Sequence, residues 1–338
     1  MKKITPVAAA CAIIFSSICY ADNIPEIMNK ARKGNAEAQF KIAALYASGK
    51  IGKKDEESKK QMFDWLEKSA SQNYAKAQEI LYKKYFEQEK FEKAAKWAQE
   101  AIKRKDKSAM SVMAYLNYFG CKTVPINRKK AFELSEQSME QPLSQVIQGR
   151  FYLTGCDKFE SDIILAKDCA ENAINKKSPY GYILMADIHL INDEGNSEDN
   201  IKIVEKNLQE AIKKNCSEAM IKLGNLYLDY FATTDKTVKA TNLYVKASEF
   251  FNPASFRQLA IYVLEKNTSD ILAKYQSMRA LKDAAKYGDP HAQVLLWECH
   301  SINKYGFETD NNLAKQYNEY NKRLNKIEQR LNRLEKRT

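Results

Sequence analysis

The sequence predicts an all-α protein, an α/α solenoid of about eight helix-turn-helix repeats that runs into a long C-terminal helix. Three observations carry this. Glycine and proline are scarce, 11 and 7 in 338 residues, while Ala, Leu, Lys, Glu, Gln and Tyr recur throughout, which favours helices over a sandwich or barrel. One short segment recurs eight times at a nearly constant offset. Inside each copy apolar residues fall first at i, i+4, i+7, and small residues then follow four apart, the pattern of two closely packed helices.

The chain opens with Lys2 and Lys3, an apolar run from about Val7 to Ile18, and Cys19-Tyr20-Ala21, which sets small residues three and one before Asp22. This is the three-part plan of a secretory signal peptide, and its run of roughly a dozen residues falls short of the ~20 that span a bilayer. Residues 1–21 are expected to be removed after Ala21, which places the mature protein in the periplasm or outside the cell. Cleavage takes two lysines from the formal charge of +11 and leaves +9. An exported protein meets no genome, so the basic balance does not imply a nucleic-acid partner.

Residues 22–310 carry the repeats. Ala38-Gln-Phe-Lys-Ile-Ala-Ala-Leu-Tyr46 is echoed from Ala77, Ala109 and Ala219, with weaker copies starting at Ser144, Gly181, Ser255 and Ala292. Successive starts are 39, 32, 35, 37, 38, 36 and 37 residues apart. The second helices superpose without gaps in Lys130–Ser138, Leu165–Ala173 and Lys239–Ala247, where small residues allow close approach. Gly49, Gly120 and Gly155 follow first helices and suit the left-handed residue that ends a helix.

Residues 311–338 read as the second helix of the last repeat, extended into a basic amphipathic helix. Leu313, Tyr317, Tyr320, Leu324, Ile327, Leu331 and Leu334 alternate spacings of four and three, a heptad seam. From 313 onward there are eight Lys/Arg against three Asp/Glu, so this segment holds +5 of the mature +9. Three readings stand: a cap on the last repeat, a coiled coil that self-associates or binds a partner, and a helix lying on anionic headgroups.

The repeats resemble Sel-1-like repeats, relatives of tetratricopeptide repeats. The likeness is closest in Gly34-Asn-Ala-Glu-Ala-Gln-Phe40, Trp65-Leu-Glu-Lys-Ser-Ala-Ser71 and Asp283-Ala-Ala-Lys-Tyr-Gly-Asp-Pro-His-Ala-Gln293, and it spans roughly residues 25–320. Repeat two departs from it, because the loop Glu87–Phe91 is short and lacks glycine. The resemblance implies a right-handed superhelix whose first helices line a concave wall. Wall positions would include Phe40, Lys83, Phe86, Tyr115, Tyr118, Phe119, Arg150, Tyr180, Asp187, Asn225, Arg257 and His291. Tyr115, Tyr118, Arg150 and Tyr180 are the candidate anchors, since Tyr and Arg supply apolar area and a hydrogen bond from one rigid group. Aromatic residues at helical spacing equally suit packing between repeats.

Catalytic patterns are sparse. The three histidines, His189, His291 and His300, include no i, i+4 pair, and no Cys-x-x-Cys occurs, so no metal site or cofactor is expected. Ser301-Ile-Asn-Lys304 matches the Ser-x-x-Lys of penicillin-recognising enzymes, but its companion motifs are missing. Five cysteines remain after export. Cys121 and Cys156 follow a glycine at the same point of successive repeats and form the candidate disulfide. Equivalent points on stacked helices lie about 8–10 Å apart, and a bridge needs Cα atoms within about 7 Å, so the loops would have to lean together.

The expectation is an exported, non-enzymatic scaffold for protein–protein interaction. Exported members of the family it resembles include immunity proteins that neutralise a toxic effector of a type VI secretion system, here one with an acidic surface. Envelope regulation or host interaction, and a penicillin-binding or β-lactamase-like role, are the alternatives that the resemblance implies.

Overall fold

A computed structural model of the chain describes residues 23–315, except 54, 122, 157, 159, 193–196, 231–233, 250–252, 267–270 and 287–288. The expected signal peptide, residues 1–21, and most of the basic C-terminal segment lie outside the described residues. Those described are helical apart from short connections and an isolated bridge between Cys121 and Val124. Their contacts group into two compact units, up to Leu116 and from Asn117.

In the first unit α1 (Ile24–Arg32) packs on α2 (Ala36–Ser48), which pairs with α3 (Glu56–Ser71). Next come the pair α4 (Ala75–Glu87) and α5 (Phe91–Ile102), and then α6 (Lys107–Phe119), whose last turn belongs to the second unit. The second unit continues with α7 (Arg128–Glu136), α8 (Pro142–Thr154), α9 (Ile163–Asn175), α10 (Pro179–Asn192), α11 (Glu198–Ile212) and α12 (Ser217–Tyr230). It closes with α13 (Thr234–Ser248), α14 (Pro253–Lys266), α15 (Ile271–Lys286), α16 (Pro290–Ser301) and a 3₁₀ turn at Lys304–Gly306. Every sequence copy opens a first helix: α2, α4, α6, α8, α10, α12, α14 and α16. Within the second unit first helices of successive repeats touch, α8 with α10 and α12 with α14, so they share one layer.

Local chemistry sets these boundaries. Asn35, Asp55, Asp106, Asn127, Asp162 and Asp289 each accept a hydrogen bond from the backbone N–H three residues on, at 2.8–3.0 Å, which satisfies a donor that a helix start leaves bare. The turns from second to first helix pass through positive φ at Gly34, Asn73, Lys105, Lys177 and Asn215, and the next N–H reaches back to a carbonyl of the ending helix. The expected left-handed glycines also appear. Gly49, Gly120 and Gly155 have φ of 72°, 78° and 71°, although the ψ of Gly155, 167°, is extended.

The small residues are the contact surface of the second helices. Ala94, Ala98, Ala131, Ala166, Ala170, Ala173, Ala240 and Ala247 are all fully buried, and so are Ser135 and Ser138. The Ala-Gln pair at the start of several first helices has a separate task. Side-chain amides of Gln39, Gln78 and Gln293 donate to the carbonyls of Ala31, Ala70 and Ala285, at 3.1, 2.9 and 3.2 Å, always eight residues back. Each thereby fixes a first helix to the end of the helix before it.

Candidate functional site

One concavity among the described residues is a cleft of about 210 Å³ in the second unit, lined by Tyr118, Arg150, Leu153, Thr154, Asp187, Leu190 and Ile191. Its composition follows from the repeat. Arg150 and Asp187 hold the same position in α8 and α10, 37 residues apart. Three and four residues further along stand Leu153 and Thr154 on α8, and Leu190 and Ile191 on α10, so each helix turns one face to the cleft. Tyr118 and Phe119 occupy the corresponding two positions on α6.

The formal charges of the polar floor balance from within, although Arg150 Nε and Asp187 Oδ2 take part in no hydrogen bond there. Arg150 Nη1 lies 3.0 Å from Asp187 Oδ2 and Nη2 lies 3.6 Å from Glu218 Oε1, while Lys222 Nζ reaches Asp187 Oδ1 at 2.7 Å. Two cations meet two carboxylates, and Arg150 and Asp187 are nearly buried. The guanidinium also stands 4.9 Å from the Phe119 ring centre, and Arg128 stands 4.5 Å from that of Tyr118. Tyr118 packs edge-on to Phe151 at 5.3 Å, and Phe151 to Phe132 at 5.2 Å, an aromatic ladder beneath the cleft.

The structure gathers Tyr118, Phe119 and Arg150 at this site but alters their expected roles. Tyr118 is only 7% exposed and works mainly as packing; Phe119, at 36%, is the open ring. Arg150 is committed to Asp187 and Glu218, so the expected cationic anchor is balanced from within. Phe40, Phe86 and Tyr115 are corrected from wall to core: Phe40 packs at a tilt against Tyr74 at 5.2 Å, and Phe86 meets Tyr115 edge-on at 5.1 Å, because aromatics flanking the apolar stripe fill the space between helices. Lys83 is exposed and pairs with Glu79 along its own helix. Tyr180 is half-buried and packs against the two neighbouring core clusters, one built on α8 to α10 and the other on α10 to α13. Arg257 also departs from the open wall. Its Nε donates to both oxygens of Asp289, at 3.0 and 3.2 Å, and Asp289 caps α16, so the pair locks a turn.

Cys121 and Cys156 are half-buried free thiols, without the expected bridge. Cys169 and Cys299 are buried among apolar groups, and desolvation pushes each thiol up to about 11, which suppresses nucleophilic thiolate. Ser301 and Lys304 do not resemble an activated pair. Lys304 Nζ lies 2.5 Å from Glu298, and that bond holds its pKa above the ordinary value, the opposite of what a general base needs. No group of three metal-ligating side chains occurs among the described residues, and no described helix is long and apolar enough to cross a membrane.

Glu218 and Lys222 were missed in the sequence because ion pairing joins residues 35 and 68 positions apart. Reading equivalent positions down the repeat would have found the cleft.

No family model matches the chain, and no curated protein matches it. Among solved structures it is similar to a protective antigen of uropathogenic Escherichia coli that displays an SLR fold, at 18% identity and a TM-score of 0.40, covering 89% of this chain and 64% of that one. The chain thus spans just under two thirds of the antigen's length. It is also similar to a Sel1 repeat protein from Oxalobacter formigenes, at 15% identity and a TM-score of 0.46, covering 71% and 94%. A third is an immunity protein from Pseudomonas aeruginosa, at 17% identity and a TM-score of 0.48, covering 64% and 81%. The likeness is one of fold, and the first two are Sel1-type repeat proteins, the kind that the repeat sequence resembles.

Proposed function

We propose that the mature chain is an exported, non-enzymatic repeat scaffold that binds a protein partner through the cleft of repeats three to five. The observation that carries this reading is the cleft itself, an apolar-walled concavity with exposed Ile191 in its lining and Phe119 beside Arg150, built on packed helices. Rigid helices present such a surface with little ordering cost on binding. The signal-peptide pattern of residues 1–21 supports export.

The finer proposal is that the partner is a toxic effector, which the scaffold neutralises. The internally matched cleft leaves the +5 of residues 313–338 as the main source of attraction for an acidic effector surface, and such attraction raises the association rate. Photo-crosslinking in intact cells from Ile191, with a control at Ile203, tests the scaffold reading. A protein adduct specific to Ile191 is expected; absence of an adduct from any exposed position refutes it. Loss of protection against the crosslinked protein on deleting this gene would establish neutralisation. Nitrocefin turnover by the purified protein would instead favour an enzyme, and none is expected.

A further inference from the structure

Resting on that reading, we infer that the cleft takes an uncharged apolar side chain presented by the partner, as a knob into a hole, and that it excludes charged anchors. The volume argues for a side chain first. About 210 Å³ lies below the ~300–1,000 Å³ of pockets that enclose small-molecule ligands. A single large side chain enters a space of that scale without displacing its walls.

Charge argues for the class. A partner carboxylate would compete with Asp187 and Glu218 for Arg150, and a partner cation would enter beside Arg150 and Lys222. Both leave a nearly buried group of the network badly paired, and breaking one partner from such a pair is strongly unfavourable. An apolar group disturbs neither pair. It meets Leu153, Leu190 and the Tyr118 ring as walls, with Ile191, 57% exposed, as a rim that gains by being covered.

The repeat also bounds the footprint. At the rim position of successive first helices stand Phe119, Thr154 and Ile191, and the next is Asp229, exposed and acidic. The uncharged strip therefore stops at α10. With first helices about 10 Å apart it extends roughly 20 Å, the length of about three to four turns of a partner helix.

The test uses the full mature protein with labelled Leu and Ile methyls, titrated by NMR with four probes: the N-acetyl amides of leucine, phenylalanine, glutamate and lysine. Leucine and phenylalanine probes are expected to shift the Leu153, Leu190 and Ile191 methyls saturably. Ile191→Glu should weaken them at least tenfold, and Ile191→Met should keep them. The glutamate and lysine probes should leave these methyls unmoved. Saturable shifts with either charged probe, or none with the apolar ones, overturn the inference. The two readings separate in cells. Crosslinks from Ile191 that land on an apolar partner residue support the knob. Crosslinks that land on a charged residue, or arise only at other positions, overturn it while the scaffold reading stands.

Discussion

Gly181→Ala isolates the contact that holds the cleft wall in place. A Cβ built at Gly181, in the first turn of α10, would sit 2.8 Å from the backbone nitrogen of Ile174, 2.9 Å from Ala173 Cβ and 3.0 Å from the carbonyl oxygen of Ala170. Favourable separations are about 3.5–4.0 Å, so α10 must retreat from α9 by roughly half an ångström or more. Two of the three obstacles are backbone and cannot rotate aside. Alanine regains about 1 kcal/mol of helix propensity over glycine, while overpacking costs about 1–3 kcal/mol. Retreat also loosens Ile183, Leu184 and Ala173, all fully buried. The net expectation is a loss of about 1–2 kcal/mol, together with weaker partner capture, because α10 carries Asp187, Leu190 and Ile191. Urea denaturation followed by circular dichroism measures the first, and the methyl titration measures the second. A variant as stable as the parent would show that the helices are not in limiting contact and would refute the packing argument.

Further outcomes follow from other contacts. Lys105 and Lys177 are exposed residues at φ near +60°, so glycine at either relieves backbone strain of about 1 kcal/mol and should raise the urea midpoint. Asp187→Asn should lower stability by about 2–4 kcal/mol and show coupling with Arg150→Ala in a double-mutant cycle, whereas additive losses would mean the pair does not interact. Iodoacetamide at pH 8 should modify Cys121 and Cys156 in the folded protein and leave Cys169 and Cys299 until denaturant is added, as peptide mass spectrometry would read. Burial raises the phenols of Tyr82, Tyr85 and Tyr244 far above 10. Unfolded tyrosines ionise near 10, so that stability is intact below pH 10 and falls as pH rises beyond it. Phenolate absorbance should then appear together with loss of helix; absorbance rising before helix loss would refute buried phenols.

The helix pairs were legible because their signals are local. A 3.6-residue period, small residues four apart and a helix-ending glycine each act within about ten residues, and all eight copies mark a first helix. The division of labour among aromatics was not legible. Phe86 and Phe119 both flank an apolar stripe, yet one is buried against Tyr115 and the other is open beneath Arg150. Only the neighbouring helix decides, and it lies tens of residues away. The neutrality of the cleft was hidden for the same reason: Arg150 reads as a free cation until Asp187 and Glu218 are brought to it.

The glutamines that open α2, α4 and α16 choose as their acceptor a main-chain carbonyl, a group every residue type provides. The joint between one helix pair and the next therefore makes no demand on the side chain it seizes beyond room to approach. A glutamine at this place finds its acceptor in any preceding helix end that leaves room, as the small Ala31, Ala70 and Ala285 do. The faces that meet a partner are then left free to diverge, position by position.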